Sequence, residues 1–217
     1  VLLDKQFILD TLNKTEAFLA SHDAEGDYLG LGILYYGFVY VLQAKTAVCL
    51  GSGGAFVPKV MRQAQRDLDL EPSSTILVDA NMPEAGYGGP HWLAEDHPFR
   101  QDYPEIEIIL TTTLKASGIL KERGISIDYL HIDADHSYEG SIQDFANYLP
   151  LMSKNFIITL HDTLHRERAP HVRVDQTIDR IREMKSVDVI DLNFLARGLA
   201  VVTPRRQLYE RMDVLNE

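Results

Sequence analysis

An α/β fold with a mostly parallel sheet is legible in this chain from three features. Short β-branched runs alternate with longer segments of helical periodicity. The first five of these runs are nearly continuous in apolar residues, the pattern of strands covered on both faces. Two of them end on an acidic residue, Asp79 and Asp133, which places carboxylates on one rim of a parallel sheet.

Seven strands are predicted, at Thr46–Leu50, Thr75–Asp79, Glu105–Thr111, Ile127–Asp133, Asn155–His161, Asp188–Phe194 and Gly198–Thr203. Helices are predicted between them at Phe56–Leu68, Thr113–Arg123, Ser141–Met152 and Val174–Met184. In the third of these, Ile142, Phe145, Leu149 and Met152 recur close to helical spacing. Only Leu195, Ala196 and Arg197 separate the last two strands, which predicts an antiparallel hairpin at one sheet edge. Residues 1–45 read as an N-terminal helical cap of two helices broken near Ala24–Gly26. Residues 46–204 read as the core and 205–217 as a tail, together one domain. The connection 81–104 is long and rich in Gly, Pro and aromatic residues. Tyr87, Gly88, Gly89, Pro90, His91 and Trp92 make it either a lid over a pocket or a surface excursion held by its own aromatics.

Composition narrows the functional classes. The chain has 217 residues, 45% of them hydrophobic and 24% charged, the balance of a globular protein. Its formal charge of −11 disfavours nucleic acid as a partner. The apolar stretch Leu29–Leu42 is too short and too broken to span a membrane. A single cysteine, Cys49, excludes an intramolecular disulfide and a cysteine zinc cluster, and a cytoplasmic location is expected. The Tyr-rich stretch Leu31–Val41 serves equally as core or as a homo-oligomer interface. The first residue is Val1, which leaves a preceding targeting segment open.

Two groups of residues carry chemistry. After the first strand, Gly51, Ser52, Gly53 and Gly54 form a turn that lets backbone approach a ligand closely, and the following helix offers free N–H groups. Asp79 ends the second strand, followed by Ala80, and a carboxylate there is placed for ribose hydroxyls. Turn and acid together favour a ligand containing adenosine. The second group comprises Asp133 at the end of the fourth strand and His161 and Asp162 at the end of the fifth. Parallel neighbours put both ends on one rim about 4.8 Å apart. Close carboxylates repel unless a proton or cation separates them, so Asp133 and Asp162, with His161 or water, are expected to hold a hard divalent ion. His136 is a general base, a substrate contact or a helix-start residue. Asp135 is a metal ligand or an N-cap.

These residues resemble the class I S-adenosylmethionine-dependent methyltransferases. The segment HIDADHSYEGSIQDFANYLPLMSKNFIITLHDT, residues 131–163, is similar to the signature of the group that includes macrocin O-methyltransferase and cephalosporin hydroxylase-like proteins. The resemblance implies a three-layer Rossmann-like methyltransferase fold, with a seven-stranded mostly parallel sheet, an antiparallel edge hairpin and an N-terminal helical cap. It implies S-adenosylmethionine bound at Gly51, Ser52, Gly53, Asp79, Ala80 and Asp133, and Mg²⁺ held by Asp133, His161 and Asp162. It places His136 as general base beside Asp133, for O-methylation of a small-molecule acceptor bearing a hydroxyl group. Cys49 stands where such enzymes usually carry Glu or Asp. The same residues leave two rivals: a metal-dependent hydrolase, for which the glycine turn and Asp79 have no use, and a cofactor-binding module without catalysis.

Overall fold

β1 (Thr46–Leu50) lies inside a seven-stranded sheet with β2 (Ser74–Asp79) on one side and β4 (Ile127–Ile132) on the other. β3 (Glu107–Leu110) extends the sheet beyond β2. β5 (Met152–His161), β7 (Leu199–Pro204) and β6 (Val187–Leu192) follow β4 in that spatial order. The pairings are parallel from β3 through β5, and β7 runs antiparallel to both β5 and β6. The computed structural model describes residues 3–12, 18–51, 54–80, 90–164, 169–194 and 197–205. The predicted tail beyond residue 205 lies outside the described residues.

The pleat sorts each strand between two layers. Ala47, Cys49, Leu77 and Tyr129 join one core cluster with α2 (Gly32–Leu42) and α3 (Phe56–Asp67). Val48, Leu50, Ile76, Leu130, Ile158 and Leu160 join the other. That second layer is built from α5 (Thr113–Glu122), α6 (Tyr138–Tyr148) and α7 (Val174–Arg182). Helices on both faces of a mostly parallel sheet, with an antiparallel edge, are the three-layer architecture expected from the sequence.

Three details depart from expectation. α6 starts at Tyr138 rather than Ser141, because the Ser137 hydroxyl accepts the Gly140 N–H at 3.0 Å and caps the helix. It ends at Tyr148 instead of running to Met152. Pro150 then falls in a 3₁₀ turn, Leu149–Leu151, and Met152 opens β5. β3 is the free edge of the sheet and Leu110 is exposed, so its apolar run does not mark a strand covered on both faces. The N-terminal segment is α1 (Lys5–Asp10), a 3₁₀ turn at Leu19–His22, and then α2.

The long connection is resolved in favour of packing over its C-terminal part, while Tyr87, Gly88 and Gly89 lie outside the described residues. A 3₁₀ turn at Pro90–Leu93 and α4 (Pro98–Asp102) bring Trp92, Phe99, Tyr103 and Ile106 into the core. Trp92 meets Phe99 edge-on at 6.1 Å, and the buried Tyr103 hydroxyl donates to Gln63 Oε1 at 2.9 Å.

Candidate active site

The register of the sheet assembles the rim. The Gly51 N–H donates to the Val78 carbonyl and the Asp133 N–H to the Leu50 carbonyl, each at 2.9 Å. The ends of β2, β1 and β4 therefore lie side by side. Gly51 takes a φ of +79°, and a Cβ on it would stand 2.1 Å from the Asp133 carbonyl oxygen. Only glycine fits both the dihedral and the space. Asp79 is half-buried next to this turn, and Ala80 follows it exposed. Ser52 and Gly53 lie outside the described residues. Cys49 is buried, its thiol donates to the Gly51 carbonyl at 3.0 Å, and burial pushes its pKa well up. It is a packing residue that ties the turn to β1.

Beside the turn, Asp133 is ringed by imidazoles. The register pairs His131 with Thr159, which sets Asp133 next to His161. His136 Nε2 lies 2.9 Å and His161 Nδ1 lies 3.3 Å from Asp133 Oδ1. The same two nitrogens lie 3.4 Å and 3.7 Å from Asp162 Oδ2. Asp133, His136, His161 and Asp162, separate in the sequence, thus share one centre. Asp162 is buried and holds a left-handed φ of +57°, a strain of the kind found at functional positions.

Three residues join this centre without having been foreseen. His22 Nε2 and His131 Nε2 lie 3.7 Å and 3.8 Å from Asp133 Oδ2, and Arg197 Nη1 lies 3.5 Å from Asp162 Oδ1. The His22 ring stacks on His161 with centroids 4.5 Å apart. His131 was readable from alternation, since Tyr129, His131 and Asp133 occupy every second position and so share a face. No local pattern marks His22, which arrives through the 3₁₀ turn of the N-terminal segment. Asp135 stands apart: its Oδ1 accepts the Ser137 N–H at 2.9 Å, so it builds the turn before α6, and Ser137 is the cap.

The electrostatics divide the histidines. Burial holds His22 and His131 below the ordinary imidazole range, with neighbouring imidazoles adding to it. Burial pushes His136 and His161 in the same direction, but hydrogen bonding and the charges of Asp133 and Asp162 outweigh it and raise both. Burial would raise Asp133, yet the His161 charge and the hydrogen bonds with His136 and His161 bring it well below the usual carboxylate range. Asp133 is therefore a carboxylate near neutral pH.

Residues 49–163 match a protein family described as a methyltransferase domain. The chain belongs to that family. The matched segment runs from within β1 through the end of β5 and contains the glycine turn, Asp79, Asp133, His136, His161 and Asp162, while His22 and Arg197 lie outside it. Among curated proteins none matches. Solved structures show the fold. An O-methyltransferase from Bacillus cereus, in complex with SAH, is similar at 14% identity and a TM-score of 0.67, over 93% of this chain and 96% of that one. The O-methyltransferase TomG from Streptomyces achromogenes, involved in tomaymycin synthesis and in complex with SAM, is 14% identical with a TM-score of 0.66, over 91% and 90% of the two chains. An SAH-bound methyltransferase of Podospora anserina is 15% identical with a TM-score of 0.62, over 82% and 79%. The architecture of this methyltransferase is the class I S-adenosylmethionine-dependent one. Among its described residues no helix is long and apolar enough to cross a membrane.

Proposed function

We propose that this methyltransferase binds S-adenosylmethionine and transfers its methyl group to a hydroxyl oxygen of a small molecule, with a divalent cation at the Asp133 centre. The observation that carries the reading is the convergence of His136 and His161 on both Asp133 and Asp162, directly beside the Gly51 turn. The structural likeness to an enzyme involved in tomaymycin synthesis supports a small-molecule acceptor. The narrower kinship to the macrocin O-methyltransferase and cephalosporin hydroxylase-like group rests on the phrase at residues 131–163.

In this reading Gly51 and Gly53 serve the methionine end of the cofactor and Asp79 its ribose, with Ser52 and Ala80 as further cofactor-binding residues. His136 takes the acceptor's proton. The adjacent carboxylates strengthen it as a base, because they stabilise the imidazolium that results. Asp133 orients that imidazole by its 2.9 Å contact and, with Gly51 against its carbonyl, links cofactor turn to reaction centre. Alignment of two reactants in one pocket supplies much of the acceleration.

The donor set bears on the ion. Its ligating atoms gather in two sets, His22 with Asp133 and His161, and Asp133 with His136 and Asp162; either would hold a divalent cation, which would supply a lowered pKa to a bound hydroxyl. The carboxylates suit Mg²⁺, but the imidazoles around them do not, since that ion keeps oxygen ligands. Calorimetric titration of the folded protein with S-adenosylmethionine tests the cofactor reading. Saturable heat is expected, and none at millimolar ligand would overturn it. Incubation with labelled cofactor and a panel of phenols, sugars and polyketides then reads out the acceptor.

A further inference from the structure

We propose that His22, Asp133 and His161 form a site for a transition ion of the Mn²⁺-to-Zn²⁺ class, and that such an ion, rather than Mg²⁺, is the cation of this centre. The inference deepens the cation reading above and rests on it.

The donors have the right kind and spacing. One ligand atom from each of the three residues lies within 4.8 Å of the others. Metal–ligand bonds of about 2.0–2.2 Å bring donors to roughly 3–3.6 Å of one another. His161 Nδ1 stands 3.3 Å from Asp133 Oδ1 and His22 Nε2 3.7 Å from Oδ2, so the carboxylate turns one oxygen to each imidazole. Two imidazoles and one carboxylate on one side of an ion favour iron, cobalt or zinc over magnesium.

The outer hydrogen bonds are those of metal ligands. His161 Nε2 faces the Ser21 carbonyl at 3.0 Å, an acceptor only, so this nitrogen carries the proton and donates it. As an imidazolium the ring donates Nδ1–H to the two carboxylates, and a cation between them takes the place of that proton. His22 Nδ1 is likewise engaged by the Tyr35 hydroxyl at 3.1 Å, which leaves Nε2 for the centre. A metal-bound histidine characteristically spends its far nitrogen on such a partner.

A second observation points to the same place. His131 is wholly buried, its Nδ1 is engaged by Thr159 Oγ1 at 2.9 Å, and its Nε2 has no hydrogen-bond partner among the described residues. That nitrogen stands 3.8 Å from Asp133 Oδ2, beyond hydrogen-bond reach. With the Thr159 hydroxyl turned to the Leu130 carbonyl, His131 donates from Nδ1 and its bare Nε2 faces the carboxylate, a repulsion that a cation held there relieves. His22 brings a further consequence: the ion pins the N-terminal 3₁₀ turn onto the sheet.

The test uses the full chain, stripped with a chelator and titrated with Co²⁺ while its visible d–d absorption is recorded. One Co²⁺ per chain is expected, displaced by equimolar Zn²⁺ and retained against a roughly thousandfold excess of Mg²⁺. His22→Gln, which keeps a polar partner for Tyr35, is expected to weaken Co²⁺ binding more than about tenfold. Displacement of Co²⁺ by comparable Mg²⁺, unchanged affinity in His22→Gln, or no absorption at all (an imidazolium–carboxylate cluster only) would overturn the proposal. The wild-type competition decides even if the variant fails to fold. Calorimetry with S-adenosylmethionine on the same preparation separates the two readings. Cofactor binding without Co²⁺ binding sinks the metal site alone, and the reverse sinks the methyltransfer reading alone.

Discussion

Gly51 and Asp133 touch through their backbones: the Asp133 carbonyl occupies the volume that any side chain at Gly51 would need. This contact couples the turn after β1 to the acid after β4. Gly51→Ala forces a methyl group against backbone oxygen at a left-handed φ. The expected cost is about 2–4 kcal/mol of stability, together with loss of measurable S-adenosylmethionine binding. Thermal unfolding and calorimetry check the two parts separately.

Asp133→Asn keeps the shape of the side chain and removes its charge. Methyl transfer is expected to fall more than about a hundredfold, a loss typical of disabling a general-base arrangement. Because the Asp133 charge helps to raise His136, that imidazole should titrate at lower pH in the variant. Histidine proton resonances followed against pH report the shift, and an unchanged His136 titration would contradict the coupling.

Trp92 distinguishes core from lid. It is 1% exposed and packed against Phe99, so Trp92→Ala is expected to cost about 3–5 kcal/mol. Denaturant unfolding measures this. A variant of wild-type stability with an altered KM would instead mark Trp92 as part of a mobile cover.

Asp144 on α6 supplies a pH dependence away from the site. Burial raises its carboxyl to about 6, and its Oδ2 has no hydrogen-bond partner among the described residues. A carboxyl raised on folding contributes stability that is complete below the unfolded pKa and is lost as pH rises through the folded one. Asp144→Asn does not titrate. Its stability relative to wild type should therefore improve by about 1–3 kcal/mol between roughly pH 4 and pH 8. Chemical denaturation at the two pH values measures the change, and a pH-independent difference would rule the effect out.

Much of this molecule could be read without coordinates, for a physical reason. A strand's apolar run and a glycine turn are local chemistry, so β1 was bounded at Thr46 and Leu50 and the parallel order through β5 followed. The parallel sheet also placed Asp133, His161 and Asp162 on one rim, because neighbouring parallel strands end together. Where local signals competed, they misled: Leu149 and Met152 continue a helical rhythm that Pro150 interrupts. Exposure of β3 depended on what lay beyond it, which its own residues do not encode.

Sequence by itself determined the layers, the turn and the two acids. Only the tertiary structure decided what surrounds them. His161 Nε2 reaches the Ser21 carbonyl across 140 positions of chain, and with that turn comes His22. Such a contact has no periodicity to announce it, since it exists only when the N-terminal segment packs over the ends of β4 and β5. The same packing turns a rim that looked oxygen-rich into one crowded with imidazoles.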